Sequence, residues 1–128
     1  MVQQITKGIR ICVKTDYEGS FVQDGRRQYV FGYAIIIENQ GKDKVQLISR
    51  YWDIKDSLNP PTIVQGEGVV GKKPILLPGG KHSYTSRCIL VSPLGAMSGH
   101  YELINLSTFE QIEVPIPLFN LSAPFAIN

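Results

Sequence analysis

The sequence predicts an all-β fold, an antiparallel sandwich of the immunoglobulin or fibronectin type III kind with about seven to eight strands. Three observations carry that expectation. Apolar residues recur with period two through most of the chain, no helical period lasts more than one turn, and glycine or proline punctuation separates the alternating segments. A small β-barrel is the alternative arrangement of the same strands.

Taken in chain order, the first element is Ile5 to Lys14, which alternates, with Ile9, Ile11 and Val13 on one face and Arg10, Cys12 and Lys14 on the other. Thr15 to Gln28 is polar and contains Gly19, Gly25 and Arg26-Arg27, which reads as a connection or a ragged hairpin. Tyr29 to Glu38 is dense in aromatic and β-branched residues on both faces, as expected of a central strand. Asn39-Gln40-Gly41-Lys42 is a turn, and Val45 to Ile54 is expected to pair back through it as a hairpin. In that strand Val45, Leu47, Ser49 and Tyr51 share one face, and Gln46, Ile48, Arg50 and Trp52 share the other. Trp52, the sole tryptophan, is expected to plug the core.

Lys55 to Pro61 is a loop, and Thr62 to Gln65 has the composition of a short strand. His82 to Ser92 sets Tyr84, Ser86, Cys88 and Leu90 against Ser83, Thr85, Arg87, Ile89 and Val91. Ala96 to Leu106 opposes Tyr101, Leu103 and Asn105 to His100, Glu102, Ile104 and Leu106. Finally, Ile112, Val114, Ile116 and Leu118 alternate with Glu113, Pro115 and Pro117. Prolines cannot donate to a ladder, so this is an edge strand, and the chain is expected to be a monomer or a weak dimer through a sheet face.

A length of 128 residues suits one domain over 1–128 with a single core. The formal charge of +2 is too small for a nucleic-acid footprint or a membrane-surface protein. The longest apolar run, Ala34 to Ile37, cannot span a bilayer, and Met1-Val2-Gln3-Gln4 does not resemble a signal peptide, so a cytoplasmic protein is expected. Cys12 and Cys88 are far apart and each lies in an apolar run, as buried free thiols do.

The most suggestive motif lies between residues 66 and 80, where five glycines and two prolines fall within fifteen positions. Gly66-x-Gly68-x-x-Gly71 matches the dinucleotide fingerprint, but that fingerprint requires a helix after it and a carboxylate about twenty residues on. Pro74 and Pro78 forbid the helix, and Val91-Ser92-Pro93 supplies no acid. What remains is an anion nest, in which the amides of Gly66, Gly68, Val70 and Gly71, with Lys72 and Lys73, would hold a phosphate or pyrophosphate. The competing role is a set of tight turns beside solvated lysines. Arg87 and Lys81 would join the anion site only if their strand lay alongside the loop.

Metal binding has less support, since His82 and His100 are the only histidines and no His, Cys, Asp or Glu pair stands at ligand spacing. Asp53, Asp56 and Glu67 would at most hold magnesium through water. No nucleophile–histidine–acid set or carboxylate pair is evident, so neither catalysis nor a cofactor is expected. Tyr33, Tyr51, Tyr84 and Tyr101 are assigned to the core or its rim.

Several stretches together resemble the bacterial ApaG family. They are Tyr33 to Asn39, Arg50 to Ile54, Val64 to Gly71, Pro74 to Gly79, Tyr84-Thr85-Ser86, Pro93 to Tyr101 and Ile116 to Leu121, in order along nearly the whole chain. Two departures are visible: Lys55 to Pro61 replaces a Thr-Asp-x-x-Gly turn, and Arg87 replaces a glycine. The resemblance implies a fibronectin-like sandwich and a link to cobalt and magnesium tolerance. Genes of the family often sit near enzymes of diadenosine polyphosphate metabolism, and related domains in F-box proteins and in a DNA-polymerase-interacting protein look like interaction modules. The functional expectation is therefore a non-catalytic adaptor for a protein partner. The alternative is a sensor of phosphorylated nucleotides or pyrophosphate through Gly66 to Gly71.

Overall fold

The computed structural model describes residues 1–126, which form nine strands and one short 3₁₀ turn at Pro124–Ala126. The strands are β1 (Val2–Thr6), β2 (Ile9–Gln23), β3 (Arg26–Asn39), β4 (Val45–Asp56), β5 (Thr62–Glu67), β6 (Ile75–Leu76), β7 (Lys81–Leu90), β8 (Leu94–Asn105) and β9 (Gln111–Ser122). They pair antiparallel in two sheets, the first in the order β1-β2-β3-β7 and the second in the order β5-β4-β8-β9, with β6 also on β4. Both sheets keep free edges, so the sandwich forms and the barrel does not.

One core lies between the layers. Ile9, Ile11, Val13, Phe31, Ile35 and Ile37 enter it from the first sheet; Leu47, Trp52, Met97, Tyr101, Leu103, Val114 and Leu121 enter from the second. No helix among the described residues is long and apolar enough to cross a membrane.

Three local expectations are corrected. The segment from Ile5 to Lys14 is two strands, because Lys7 and Gly8 both take positive φ and turn β1 onto β2. Of the two readings of Thr15 to Gln28, the ragged hairpin holds: the segment is the outer half of a long β2–β3 hairpin, irregular between Tyr17 and Gly19 and closed by positive φ at Asp24 and Gly25. Strands β3 and β4 are not a hairpin, since β3 pairs with β2 and β7 while β4 belongs to the other sheet. Buried Asn39 fixes this crossover: its Nδ2 donates to the carbonyls of Asp43 (2.8 Å) and Leu76 (3.0 Å), and its Oδ1 accepts from the amide of Gly41 (3.0 Å). That satisfaction makes a buried amide side chain tolerable.

The third correction concerns phase. A register shift between Leu47 and Ser49 exchanges the faces of β4, so Val45 and Leu47 point inward before it, and Arg50 and Trp52 after it. A second shift between Met97 and Gly99 carries Phe119 and Leu121 inward on β9 and leaves Leu118, expected in the core, 53% exposed. Each bulge adds one residue and reverses the facing of the strand beyond it. Strand β9 is an edge as expected, and β3 is central, although its second face is only half-buried.

Cys12 and Cys88 are buried free thiols. On the outer face of the first sheet, Glu38 accepts from Arg10 Nε (2.7 Å) and Gln40 Nε2 (3.0 Å) and lies 3.7 Å from Lys81 Nζ. The hydrogen bond from Arg10, with lesser help from Gln40 and the two positive charges, holds the Glu38 carboxyl below its ordinary range. A depressed folded pKa stabilises the protein above the unfolded carboxylate value of about 4.3 and ceases to do so as pH falls through the folded value. The melting temperature of wild type should therefore exceed that of Glu38→Gln by a margin that is constant near neutrality and closes below about pH 4. A margin independent of pH down to acid unfolding would contradict this.

Candidate functional site

The edge strands β5 and β7 flank a seam where the sandwich is open. Between them lies a cleft of about 540 Å³ whose lining includes Arg50, Trp52, Val64, Val70, Tyr84 and Cys88. Its inner wall is aromatic. Trp52 meets Tyr33, Tyr101 and Phe119 edge-on, with ring centroids 5.5, 6.3 and 5.9 Å away. The hydroxyls of Tyr84 and Tyr101 are hydrogen-bonded to one another. Burial raises the pKa of Tyr33, Tyr84 and Tyr101, and the nearby charge of Arg50 opposes that rise at all three, so they stay neutral phenols grouped around one guanidinium. Burial also pushes the Cys88 thiol up to about 11, which suits packing more than reactivity.

Arg50 faces inward because of the bulge in β4. Its Nη1 donates to the carbonyls of Glu67 and Gly68, both at 2.9 Å. Gly66, directly opposite Arg50 in the ladder, makes room for it: a β-carbon there would stand 2.9 to 3.1 Å from Nη2, Nη1 and Cζ. No carboxylate among the described residues lies within ion-pair distance of Arg50. By contrast Arg87, at the same cleft, is held by Glu18 (Nε to Oε1, 2.7 Å).

The glycine loop is a lip of this cleft and not the expected nest. The amide of Gly68 donates to the carbonyl of Ile48 (2.8 Å), and Val69 and Lys72 exchange hydrogen bonds of 2.8 and 3.0 Å. Between the latter two, Val70 (φ 47°) and Gly71 (φ 76°) form a two-residue hairpin turn. Gly66 lies in β5, and Lys73 lies 3.4 Å from Glu67. Of the residues expected to bind phosphate, Gly66, Gly68, Val70, Gly71, Lys72 and Lys73 are indeed adjacent, but the amide of Gly68 is engaged and cannot converge with those of Val70 and Gly71. Lys81 and Arg87 do not join them, being paired with Glu38 and Glu18. The loop instead buries Val69 completely and leaves Val70 exposed at the mouth of the cleft.

The carboxylates considered for magnesium do not gather. Asp56 accepts from the amide of Val91 (2.8 Å) and from Ser92 Oγ, tying the end of β4 to the β7–β8 turn, while Glu67 faces Lys73. Asp53 Oδ1 is buried without a hydrogen-bond partner, and nothing in the structure explains it. Sequence reasoning missed a different donor set on the outer face of the second sheet. His100 Nε2 lies 3.8 Å from Glu102 and 3.4 Å from Glu113, the three donors fall within 4.8 Å of one another, and Tyr51 stacks on the imidazole at 4.9 Å. The i, i+2 spacing of His100 and Glu102 was a readable signal, but Glu113 arrives only through the β8–β9 register. Three donors, two of them exposed, fall short of a closed four-ligand site.

A family model described as the ApaG domain matches residues 20–105, which include Arg50, Gly66 and Tyr84. Over 121 residues the chain is 45% identical to Protein ApaG of Sodalis glossinidius, covering 93% of this chain and 96% of that one. The chain belongs to the ApaG family. Another ApaG relative, from Erwinia tasmaniensis, is 44% identical over 115 residues, covering 88% of this chain and 91% of its own. Among solved structures, an X-ray structure of a structural-genomics target superposes with a TM-score of 0.86 at 36% identity, covering 91% of this chain and 88% of that one. A crystal structure of the protein described as ApaA from Bordetella pertussis gives 0.80 at 38% identity, covering 91% and 94%. The ApaG fold is thus a two-sheet sandwich, and the seam between β5 and β7 is a feature of this ApaG chain.

Proposed function

We propose that this protein is a non-catalytic interaction module that receives an extended segment of a protein partner at the seam between β5 and β7. The observation that supports it is the opening of an aromatic-walled cleft beside an unguarded sheet edge. Strand β5 pairs on one side only, and Thr62 to Gln65 carries neither proline nor charge. The opposite edge, β9, has Pro115 and Pro117. A free edge presents a row of backbone groups suited to an added strand, and natural sheets ordinarily block such rows. Val64, Val70 and Ile89, which are 37%, 64% and 54% exposed, give the rim apolar contact surface. On this reading, any link to cobalt or magnesium tolerance runs through the bound partner. The pyrophosphate alternative loses its main support once the amide of Gly68 is engaged.

Selection of random linear peptides on the immobilised protein tests the reading. Enriched peptides should bind Val64→Lys and Ile89→Lys at least tenfold more weakly than wild type, about 1.4 kcal/mol. Both substitutions fall at partly exposed positions, so melting curves near those of wild type should accompany the loss. Enrichment that is unaffected by either variant would place the binding surface elsewhere.

A further inference from the structure

We infer that Arg50 is a carboxylate receptor, which takes one acidic group of the bound segment into the cleft. The inference rests on the seam being the binding surface and adds the chemistry of what enters it. Its first support is charge. A guanidinium stays protonated at any physiological pH, and a half-buried cation beside the aromatic part of the cleft gains from a counter-charge; Asp56, the carboxylate in the lining, is turned to the amide of Val91 and to Ser92 Oγ instead. Arg87, the other cation lining the cleft, has its counter-charge in Glu18, and Lys73 on the glycine loop has one in Glu67. Arg50 has two carbonyls and no carboxylate among the described residues.

The second support is the direction of its donors. Both carbonyls are bound by Nη1, whose two hydrogens they use. Nε and Nη2 carry the parallel N–H bonds of the side-on edge of the guanidinium, and neither has a partner among the described residues. That edge is the one a planar carboxylate engages with two hydrogen bonds. The backbone carbonyls of the glycine loop hold the guanidinium in place, and Gly66 lets it lie flat against β5. Such preorganisation leaves less side-chain entropy to lose on binding.

The third support is stoichiometry. Of the two cations that line the cleft, Arg87 is paired with Glu18 and Arg50 alone is without an ion pair among the described residues, which matches a monoanionic carboxylate better than a phosphate dianion. The neutral phenols of Tyr33 and Tyr84 add hydrogen-bonding capacity without charge.

Four probes test this: an N-acetylated, C-amidated pentapeptide of valine and threonine with a central aspartate; the same peptide with asparagine; the asparagine peptide with a free C-terminal carboxylate; and inorganic phosphate. Each is titrated by calorimetry, with the Arg50 Nε–H signal monitored by NMR. The aspartate peptide should bind at least tenfold more tightly than its asparagine counterpart and should move the Arg50 signal. In Arg50→Gln the two amidated peptides should bind alike. Arg50→Lys should keep only part of the preference, because an ammonium cannot engage a carboxylate side-on. Gly66→Ala retains the arginine but displaces its guanidinium, so it should lose the preference even if Arg50→Gln fails to fold. If the free C-terminus restores binding to the asparagine peptide, a chain end is the carboxylate recognised; if not, an acidic side chain is.

Equal binding of the aspartate and asparagine peptides to wild type would overturn the role of Arg50 while leaving the seam intact. Binding of none of the peptides would remove both. Phosphate competing at a lower concentration than the aspartate peptide would replace the carboxylate by a phosphate.

Discussion

Trp52→Ala should destabilise the protein by roughly 3–5 kcal/mol, the usual range for removing a large buried aromatic side chain. Trp52 is buried on β4, between partners on β5 (Val64) and β8 (Gly99), and its indole touches Tyr33 of the first sheet and Tyr101 and Phe119 of the second. Truncation removes the group that joins the two layers beside the seam, where the sandwich is already open and cannot close over the void. Because total stabilities are about 5–15 kcal/mol, a fraction of the variant should be unfolded at about 37 °C. Urea titrations of wild type, Trp52→Phe and Trp52→Ala measure this, with an unchanged slope and successively lower midpoints expected. A loss of less than about 1 kcal/mol for alanine would mean that the indole is a rim group.

Gly68→Val should be comparably damaging, and for a backbone reason. Gly68 has φ +63°, a region that β-branched residues resist, and a β-carbon there would collide with the carbonyl oxygen of Lys72. Relief requires breaking the exchange between Val69 and Lys72, which would withdraw fully buried Val69 from the core. Gly71 provides the control. Its φ is +76°, but a β-carbon would meet nothing within 4 Å, so Gly71→Ala should cost only the conformational penalty of about 1–2 kcal/mol. Thermal melts of the two variants should therefore differ widely. If Gly68→Val melts like wild type and loses only a stabilisation conferred by pyrophosphate, the loop is an anion site after all.

Much of the fold is legible in the sequence because period-two alternation survives wherever a strand has one buried face. The inward sets Tyr84, Ser86, Cys88, Leu90 and Tyr101, Leu103 are readable for that reason, as is the proline-marked edge at β9. What alternation cannot show is where an extra residue is inserted. The bulges at Leu47/Ser49 and Met97/Gly99 leave no local mark, so alternation alone puts Leu118 on the wrong face. Nor does a turn announce whether it closes a hairpin or crosses between sheets. That choice rests on Asn39 reaching Leu76, which is distant in sequence.

The seam shows the same division. Arg50 stands two residues before a core tryptophan, which already places it on the inner face, yet an arginine reads as surface until its surroundings are known. The glycine loop draws attention for its pattern, whereas its role is geometric: it turns the chain, buries Val69 and offers two carbonyls to Arg50. His100 and Glu102 share a face by spacing alone, and only the pairing of β8 with β9 brings Glu113 beside them.

On the proposed reading, partners bind in the cleft between β5 and β7. The most direct test of that reading is an amide chemical-shift map of ¹⁵N-labelled protein titrated with a selected peptide. Saturable shifts are expected at Val64, Gly66, Val70, Ser86 and Cys88, together with slower hydrogen exchange along Thr62 to Gln65. Shifts confined to Gly71 through Lys73, or to the opposite face around His100 and Glu113, would contradict it.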